Sequence, residues 1–189
     1  MLCLNSFKNI KEYRIKYESL ISEEANIELP TDYGDFKMKA FKQTTNGQLH
    51  LAIYKGEWKK GENLLVRVHS SCMTGDIFGS CRCDCGHQLQ SALQQIEAAG
   101  KGVLVYMNQE GRGIGLFNKL KAYELQEKGR DTVEANTELG FNVDDRDYGI
   151  GAQILRAMNV TKIRLLSNNP KKRVGLIGYG IEIVESVAL

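Results

Sequence analysis

The apolar residues of this chain change their period once, and that change limits the folds open to it. From Asp35 the period is two, with Phe36, Met38 and Ala40 alternating with polar residues as in a half-buried strand. Asn46-Gly47 separates this run from Leu49, Leu51 and Ile53, a hairpin signal. A further strand, Leu64-Leu65-Val66-Arg67-Val68-His69, follows the Lys59-Lys60-Gly61 turn, so the first third is expected to be an antiparallel meander. Past a cysteine cluster at 72–85, strands alternate with helices. Leu89, Ala92, Leu93 and Ile96 share a helical face stopped at Gly100, and Val103-Leu104-Val105-Tyr106 is a strand of the buried type. A glycine-rich loop precedes a helix ending at Gly129, and another helix is predicted over 147–158. A strand over 163–167, a helix opened by Asn168-Asn169-Pro170 and a last strand near 181–184 complete the pattern. The predicted fold class is α/β, an N-terminal antiparallel β-meander continuing into a mixed sheet covered by helices. Ahead of it, Ile10, Tyr13, Tyr17, Leu20 and Ile21 predict an amphipathic helix over 8–22. Residues 1–28 therefore read as a helical arm or linker, and 29–189 as one domain.

The cysteines carry the first chemical signal. Of five, Cys3 stands alone while Cys72, Cys81, Cys83 and Cys85 fall within fourteen residues. An odd count is a poor disulfide framework. The N-terminus has no basic stretch followed by a long apolar one, so a cytoplasmic protein is expected and a metal site or reactive thiol suits the cluster. On an extended chain Cys81, Cys83 and Cys85 project to one side, and the Thr74-Gly75-Asp76 turn can bring Cys72 back to them. Spacing alone allows three ligands with one spectator, or all four cysteines; His69 and His87 are alternative fourth ligands. The bland reading, small core hydrophobes, fits poorly with the polar Arg82 and Asp84 in the stretch.

Two segments suit anions. Gln109-Glu110-Gly111-Arg112-Gly113-Ile114-Gly115 joins a strand to a helix, and Arg112 can fork onto a phosphate. Its spacing matches neither the dinucleotide nor the Walker fingerprint. Asn168-Asn169-Pro170-Lys171-Lys172 is a second helix start with basic residues. In Asp144-Asp145-Arg146-Asp147-Tyr148, three aspartates exceed what a helix cap requires, which hints at acid–base or Mg²⁺ work. Tyr123 shares a helical face with Leu116 and Leu120, so by pattern alone it is a core tyrosine. Lysine plus arginine number 25 against 23 aspartate plus glutamate, so no global field recruits nucleic acid or an anionic membrane. No apolar run approaches the ~18 residues that span a bilayer.

Taken in order, these motifs resemble the GTP cyclohydrolase II family. The resemblance runs from about Leu29 to Val187. It is carried by Arg67-Val68-His69-Ser70, Cys72-Met73-Thr74-Gly75-Asp76, Arg82-Cys83-Asp84-Cys85-Gly86, Gln109-Glu110-Gly111-Arg112 and Asn118-Lys119. It continues through Asp131-Thr132-Val133-Glu134-Ala135-Asn136 and Asp145-Arg146-Asp147 to Asn168-Asn169-Pro170-Lys171-Lys172. The nearest likeness is to the cyclohydrolase half of bifunctional dihydroxybutanone phosphate synthase/GTP cyclohydrolase II proteins, and the segment before Leu29 resembles their linker.

The resemblance implies one zinc ion on Cys72, Cys83 and Cys85, with Cys81 a spectator. It implies a hydrolase of riboflavin biosynthesis, with zinc-activated water attacking C8 of GTP. Formate and pyrophosphate leave, and the product is a diaminopyrimidine ribosyl phosphate. GTP would be held by Arg67, Val68, His69, Ser70, Ser71, Gln88, Glu110, Gly111, Arg112, Thr132, Ser167 and Lys172, with Mg²⁺ on the pyrophosphate. Tyr123 matches a catalytic tyrosine. Asp144 and Arg146 match the family's proton acceptor and its nucleophile at the α-phosphate. A charged guanidinium has no free lone pair and a pKa above ~12, so stabilising charge on the α-phosphoryl is the role that physical chemistry favours for Arg146. A homodimer is implied as well. Ser71 stands where many members carry glutamate, Ser167 replaces a threonine, and the chain ends at Leu189 before the family's usual polar tail. These departures raise the alternative of a catalytically impaired GTP-binding relative.

Overall fold

The computed structural model describes residues 13–14, 18–142, 144–167, 176 and 178–189. Seven strands form one sheet: β1 (Ile21–Thr31), β2 (Gly34–Gln43), β3 (Leu49–Lys55), β4 (Asn63–Ser70), β5 (Gly102–Met107), β6 (Lys162–Leu166) and β7 (Glu182–Val187). Their order is β1-β2-β3-β5-β4-β6-β7. Pairings β1/β2, β2/β3 and β3/β5 are antiparallel, while β5/β4, β4/β6 and β6/β7 are parallel. The mixed sheet with an antiparallel N-terminal part is the predicted one.

Two details differ from expectation. The strand at 64–69 does not continue the meander, because β5 lies between it and β3 and the strand runs parallel to both its neighbours. Its run Leu64–His69 is buried on both faces, which a central parallel strand requires and a meander strand with one wet face does not. Ile21 and Ser22, expected at the end of a helix, begin β1, which runs past residue 28 to Thr31. Tyr13 and Arg14 are helical, and the rest of 1–17 lies outside the described residues. The Asn46-Gly47 hairpin is present with a loop wider than two residues, since Lys42 pairs with Leu49 and Asn46 Oδ1 accepts from the Gln48 N–H.

Among the described residues, four α-helices with defined bounds accompany the sheet: α1 (Cys85–Ala99), α2 (Gly115–Glu127), α3 (Thr132–Glu138) and α4 (Tyr148–Ala157). α1 stops at Gly100, whose φ of 68° ends the helix at the expected glycine. α3 was not anticipated as a helix. Asp131 accepts from the Val133 and Glu134 N–H groups and Glu134 accepts from the Asp131 N–H, a capping box that starts a helix of seven residues. The helix expected from 168 lies outside the described residues.

The period-two alternation sorts the core into two layers. Val66, Val68, Val103, Val105, Ile163 and Leu165 face α4 with its Ile150, Ile154 and Leu155. Leu65, Leu104 and Leu166 face α1 with its Ala92, Leu93 and Ile96. β4 and β5 are parallel neighbours, and the chain leaves β4 toward α1 and β5 toward α2. Their outgoing loops stay joined, with the Ser71 N–H donating to the Met107 carbonyl at 2.8 Å, and a crevice opens beyond the carboxyl ends of the strands, where α/β sheets bind ligands.

Candidate active site

A cavity of about 580 Å³ occupies that crevice. The chain leaving β4, the start of α1, the glycine loop after β5 and helices α2 and α3 all contribute to it.

At its inner end, Cys72 follows β4 while Cys83 and Cys85 lie at the start of α1. Their three Sγ atoms lie within 4.8 Å of one another, with Cys72 and Cys83 3.5 Å apart. Sulfurs bound tetrahedrally at ~2.3 Å to one zinc are roughly 3.8 Å apart, so the triangle has the right size. The close approach depends on two glycines. A Cβ on Gly75 would lie 2.8 Å from Cys83 Sγ and 3.2 Å from Cys72 Sγ, inside the cradle, and one on Gly86 would lie 2.4 Å from the Gly75 carbonyl oxygen.

The charges fit a cation as well. Burial opposes ionisation of Cys72, but hydrogen bonds from Lys119, Thr74 and the Gly75 N–H prevail and hold its thiol below the ordinary value. Burial pushes Cys83 and Cys85 up, and the neighbouring Cys72 adds to it. Thiols that oppose each other's ionisation become compatible as thiolates once a dication lies among them. Cys81 and His87 are exposed outside the triangle.

Beside the sulfurs a buried carboxylate organises the wall. Asp76 lies 3.1 Å from His69 Nε2 through each oxygen, and accepts from Tyr106 OH at 2.8 Å and from the Cys72 N–H at 2.9 Å. His69 and Tyr106 are register partners on β4 and β5, and their rings stack with centroids 5.5 Å apart. Burial alone would raise Asp76; the bonds from His69 and Tyr106 outweigh it and keep the carboxylate ionised.

Four arginines line the cavity, Arg67, Arg82, Arg112 and Arg146. Arg67, 2% exposed, donates to the Leu166 carbonyl at 2.9 Å and to Gln88 Oε1 at 2.6 Å, while its Nε is buried with no hydrogen-bond partner among the described residues. Burial lowers its pKa to about 10, which leaves it charged at neutral pH. Arg112 sits in the glycine loop with φ 60°, a left-handed conformation that costs a non-glycine residue of order 1 kcal/mol. The Asp145 N–H donates to its carbonyl at 3.0 Å, and Gln109 Nε2 donates to the Asp147 carbonyl at 2.9 Å, so this loop is stitched to the acidic turn.

In that turn the aspartates divide their work. Asp147 caps α4 through the Gly149 N–H, Asp145 accepts from Asn142, and Asp144 takes the fork of Arg146, with Nε–Oδ1 at 2.7 Å and a second bond from Nη2 to Oδ2. Burial works against both charges of this last pair. Their mutual bonds prevail, so Asp144 is held low and Arg146 high.

α2 and α3 form the remaining wall. Tyr123 lines the cavity with Arg82 over its ring at 4.9 Å and Lys119 at 5.7 Å, while Leu120 is exposed and Ala122 is the buried residue of α2. Of the face read as core from its pattern, Tyr123 alone lines the cavity, beside Lys119, Ala122 and Gln126. His69, Ser70, Ser71, Gln88, Glu110, Gly111, Thr132 and Ser167 also line the cavity. Ser71, in the family's glutamate position, accepts the Gln109 N–H at 3.1 Å. Val68 does not line it, because alternation on β4 turns its side chain into the opposite core layer. Asp144 is not itself a lining residue and meets the cavity through its bonds to Arg146, with Arg112 also near enough to favour its charge. Lys172 lies outside the described residues.

Sequence reasoning passed over Asp76, Tyr106 and Lys119 as separate functional residues. Asp76 and Lys119 lay within quoted motifs, while Tyr106 carried no local signal beyond the strand alternation that places it opposite His69.

A family model described as GTP cyclohydrolase II matches residues 22–188. The chain is 62% identical over 188 residues to a riboflavin biosynthesis protein RibBA of Cytophaga hutchinsonii, covering 100% of this chain and 46% of that protein. It is 56% identical over 184 residues to RibBA of Bacillus cereus strain ATCC 10987, covering 97% of this chain and again 46% of the relative. The chain thus spans a little under half the length of these relatives. Among solved structures, RibBX from A. baumannii, a two-domain 3,4-dihydroxy-2-butanone 4-phosphate synthase, matches with a TM-score of 0.57 and 24% identity. That match covers 96% of this chain and 44% of the other, a likeness of fold. No helix among the described residues is long and apolar enough to cross a membrane.

Proposed function

The chain belongs to the GTP cyclohydrolase II family, and from that premise we propose that it is a zinc-dependent hydrolase that opens the imidazole ring of GTP. Formate and pyrophosphate are released, and the diaminopyrimidine ribosyl phosphate enters riboflavin biosynthesis. The observation that carries the reading is the meeting of the Cys72–Cys83–Cys85 triangle with Arg67, Arg112 and Arg146 around one cavity. Thiolates beside these guanidiniums suit a substrate that is polyanionic at one end and hydrolysed at the other.

Cys72, Cys83 and Cys85 would hold the zinc ion, which supplies an electrophilic centre able to activate water at neutral pH. Arg112 binds the triphosphate, with Mg²⁺ on its departing pyrophosphate, and Lys172 is a further candidate there. Arg146 keeps its positive charge because both oxygens of Asp144 occupy its fork, so it stabilises charge on the α-phosphoryl rather than attacking it. Asp144, held low, orients the guanidinium and is a weak proton acceptor at neutral pH. Arg67 closes the inner wall against Gln88, and the Tyr123 phenol faces the reacting region between Arg82 and Lys119. The reading includes a cytoplasmic homodimer, which sedimentation of the purified protein would test.

The deciding experiment is mass spectrometry of the products formed from GTP, with metal analysis of the same sample. Formate, pyrophosphate and the ring-opened product are expected from zinc-loaded protein, and none from Cys83→Ser. Formate from Cys83→Ser at the wild-type rate would overturn the zinc role.

A further inference from the structure

Lys119, on α2, occupies a position that the reaction outlined above leaves unexplained. Its ammonium carries three N–H donors, and each has an acceptor: Cys72 Sγ at 3.0 Å, Thr74 Oγ1 at 2.9 Å and Glu110 Oε1 at 2.9 Å. The side chains of Lys119 and Glu110 are only 11% and 13% exposed. With its donors committed, Lys119 is poorly placed to bind a phosphate itself.

What it joins is informative. Glu110 opens the glycine loop, and its carboxylate also accepts the Gly111 N–H at 3.0 Å and the Met73 N–H at 2.6 Å. Cys72 opens the metal turn. Lys119 therefore ties the metal turn to the glycine loop, and without it the Glu110 carboxylate would lose its ion-pair partner in a partly dry site. The loss would fall between the Met73–Ile77 turn and the glycine loop. The next residues of that loop are Gly111 and Arg112, the latter already in a left-handed conformation that depends on its surroundings.

We propose that Lys119 is a positioning residue that bridges the Cys72 thiolate and the Glu110 carboxylate, and through that bridge sets Arg112 for the triphosphate. The inference rests on the GTP reading of the cavity. It concerns binding of the phosphates rather than the hydrolytic step.

The test measures the Kd of α,β-methylene GTP, a non-reacting nucleotide, on zinc-loaded wild type, Lys119→Met, Lys119→Arg, Glu110→Gln and the double variant Lys119→Met/Glu110→Gln. Loss of one partner from a buried charge pair predicts that Lys119→Met binds about 10- to 100-fold more weakly. Lys119→Arg should stay near wild type. Because the two side chains act as one bridge, the double variant should bind no more weakly than Glu110→Gln alone, whereas independent roles give losses that multiply. Wild-type affinity in Lys119→Met, or multiplying losses in the double variant, would overturn the proposal. Should Lys119→Met fail to fold, Lys119→Gln takes its place in the same cycle under the same criterion. Absence of nucleotide binding by the wild type itself overturns the GTP reading, and this inference with it.

Discussion

Replacing Gly75 by alanine adds one methyl group at the point where the three sulfurs converge. Gly75 has no left-handed φ, so alanine meets no backbone penalty and the cost is steric. The new Cβ would lie 2.8 Å from Cys83 Sγ, 3.1 Å from Cys85 Cβ and 3.2 Å from Cys72 Sγ. Against a comfortable separation of ~3.5 Å or more, the shortest contact is about 0.7 Å too close. In the metal-free protein the sulfurs can spread to relieve this. Around zinc they are confined to ~2.3 Å from one centre and cannot. The penalty therefore falls mainly on the metal-bound state. Overpacking of this kind costs about 1–3 kcal/mol, which corresponds to zinc affinity roughly 5- to 150-fold weaker. Competition against a chromophoric chelator measures it directly. Gly178→Ala is the control, since it adds a methyl group with nothing within 4 Å and no left-handed φ. Equal zinc affinity in Gly75→Ala and wild type would refute the cradle.

Arg146→Ala should leave nucleotide Kd within a few-fold while slowing pyrophosphate release by about 10²- to 10³-fold, the usual loss for one donor to a developing charge. A phosphoramidate trapped on Arg146 in the wild type would refute charge stabilisation as its role. His50, fully buried on β3, accepts the Asn108 N–H through Nδ1 at 3.1 Å, which needs the neutral ring, and burial lowers its pKa from 6.5 despite the opposing pull of Asp147. The unfolded chain then takes up the proton first, so its stabilising contribution is complete above pH 6.5 and is lost as pH falls from there through the folded value. Melting temperatures from pH 8 to 5 should decline more steeply for wild type than for His50→Asn, whose side-chain oxygen keeps the acceptor without titrating; parallel curves would count against it.

The parts of the molecule governed by local pattern were legible in the sequence. Alternation at Phe36–Ala40, the helical face of α1 and the Gly100 stop each follow from periods and caps that need no knowledge of distant residues. The placement of β4 was not legible, because a run such as Leu64–His69 fits a buried strand in any position and only the sheet order reveals its neighbours. Cysteine spacing left the ligand set open, and the resemblance to the family singled out the three thiols that the fold brings together. Tyr123 misled as a pattern because Leu116 and Leu120, its apolar partners at helical spacing, do not line the cavity, which Tyr123 reaches beside Lys119, Ala122 and Gln126. Lys119 and Asp76 owe their importance to partners 47 and 7 residues away, and no local period encodes such pairings.

The separation of the core into two layers gives the site a modular failure pattern. The cysteine triangle rests on the layer beneath α1, whereas Arg146 stands at the head of α4, which packs on the opposite layer. Damage to packing under α4 can displace the arginine while the sulfurs stay in register, and damage under α1 can do the reverse. On the proposed reading, metal occupancy and competence in phosphate chemistry are separable: full zinc loading would be no measure of how well the triphosphate end of the site is built.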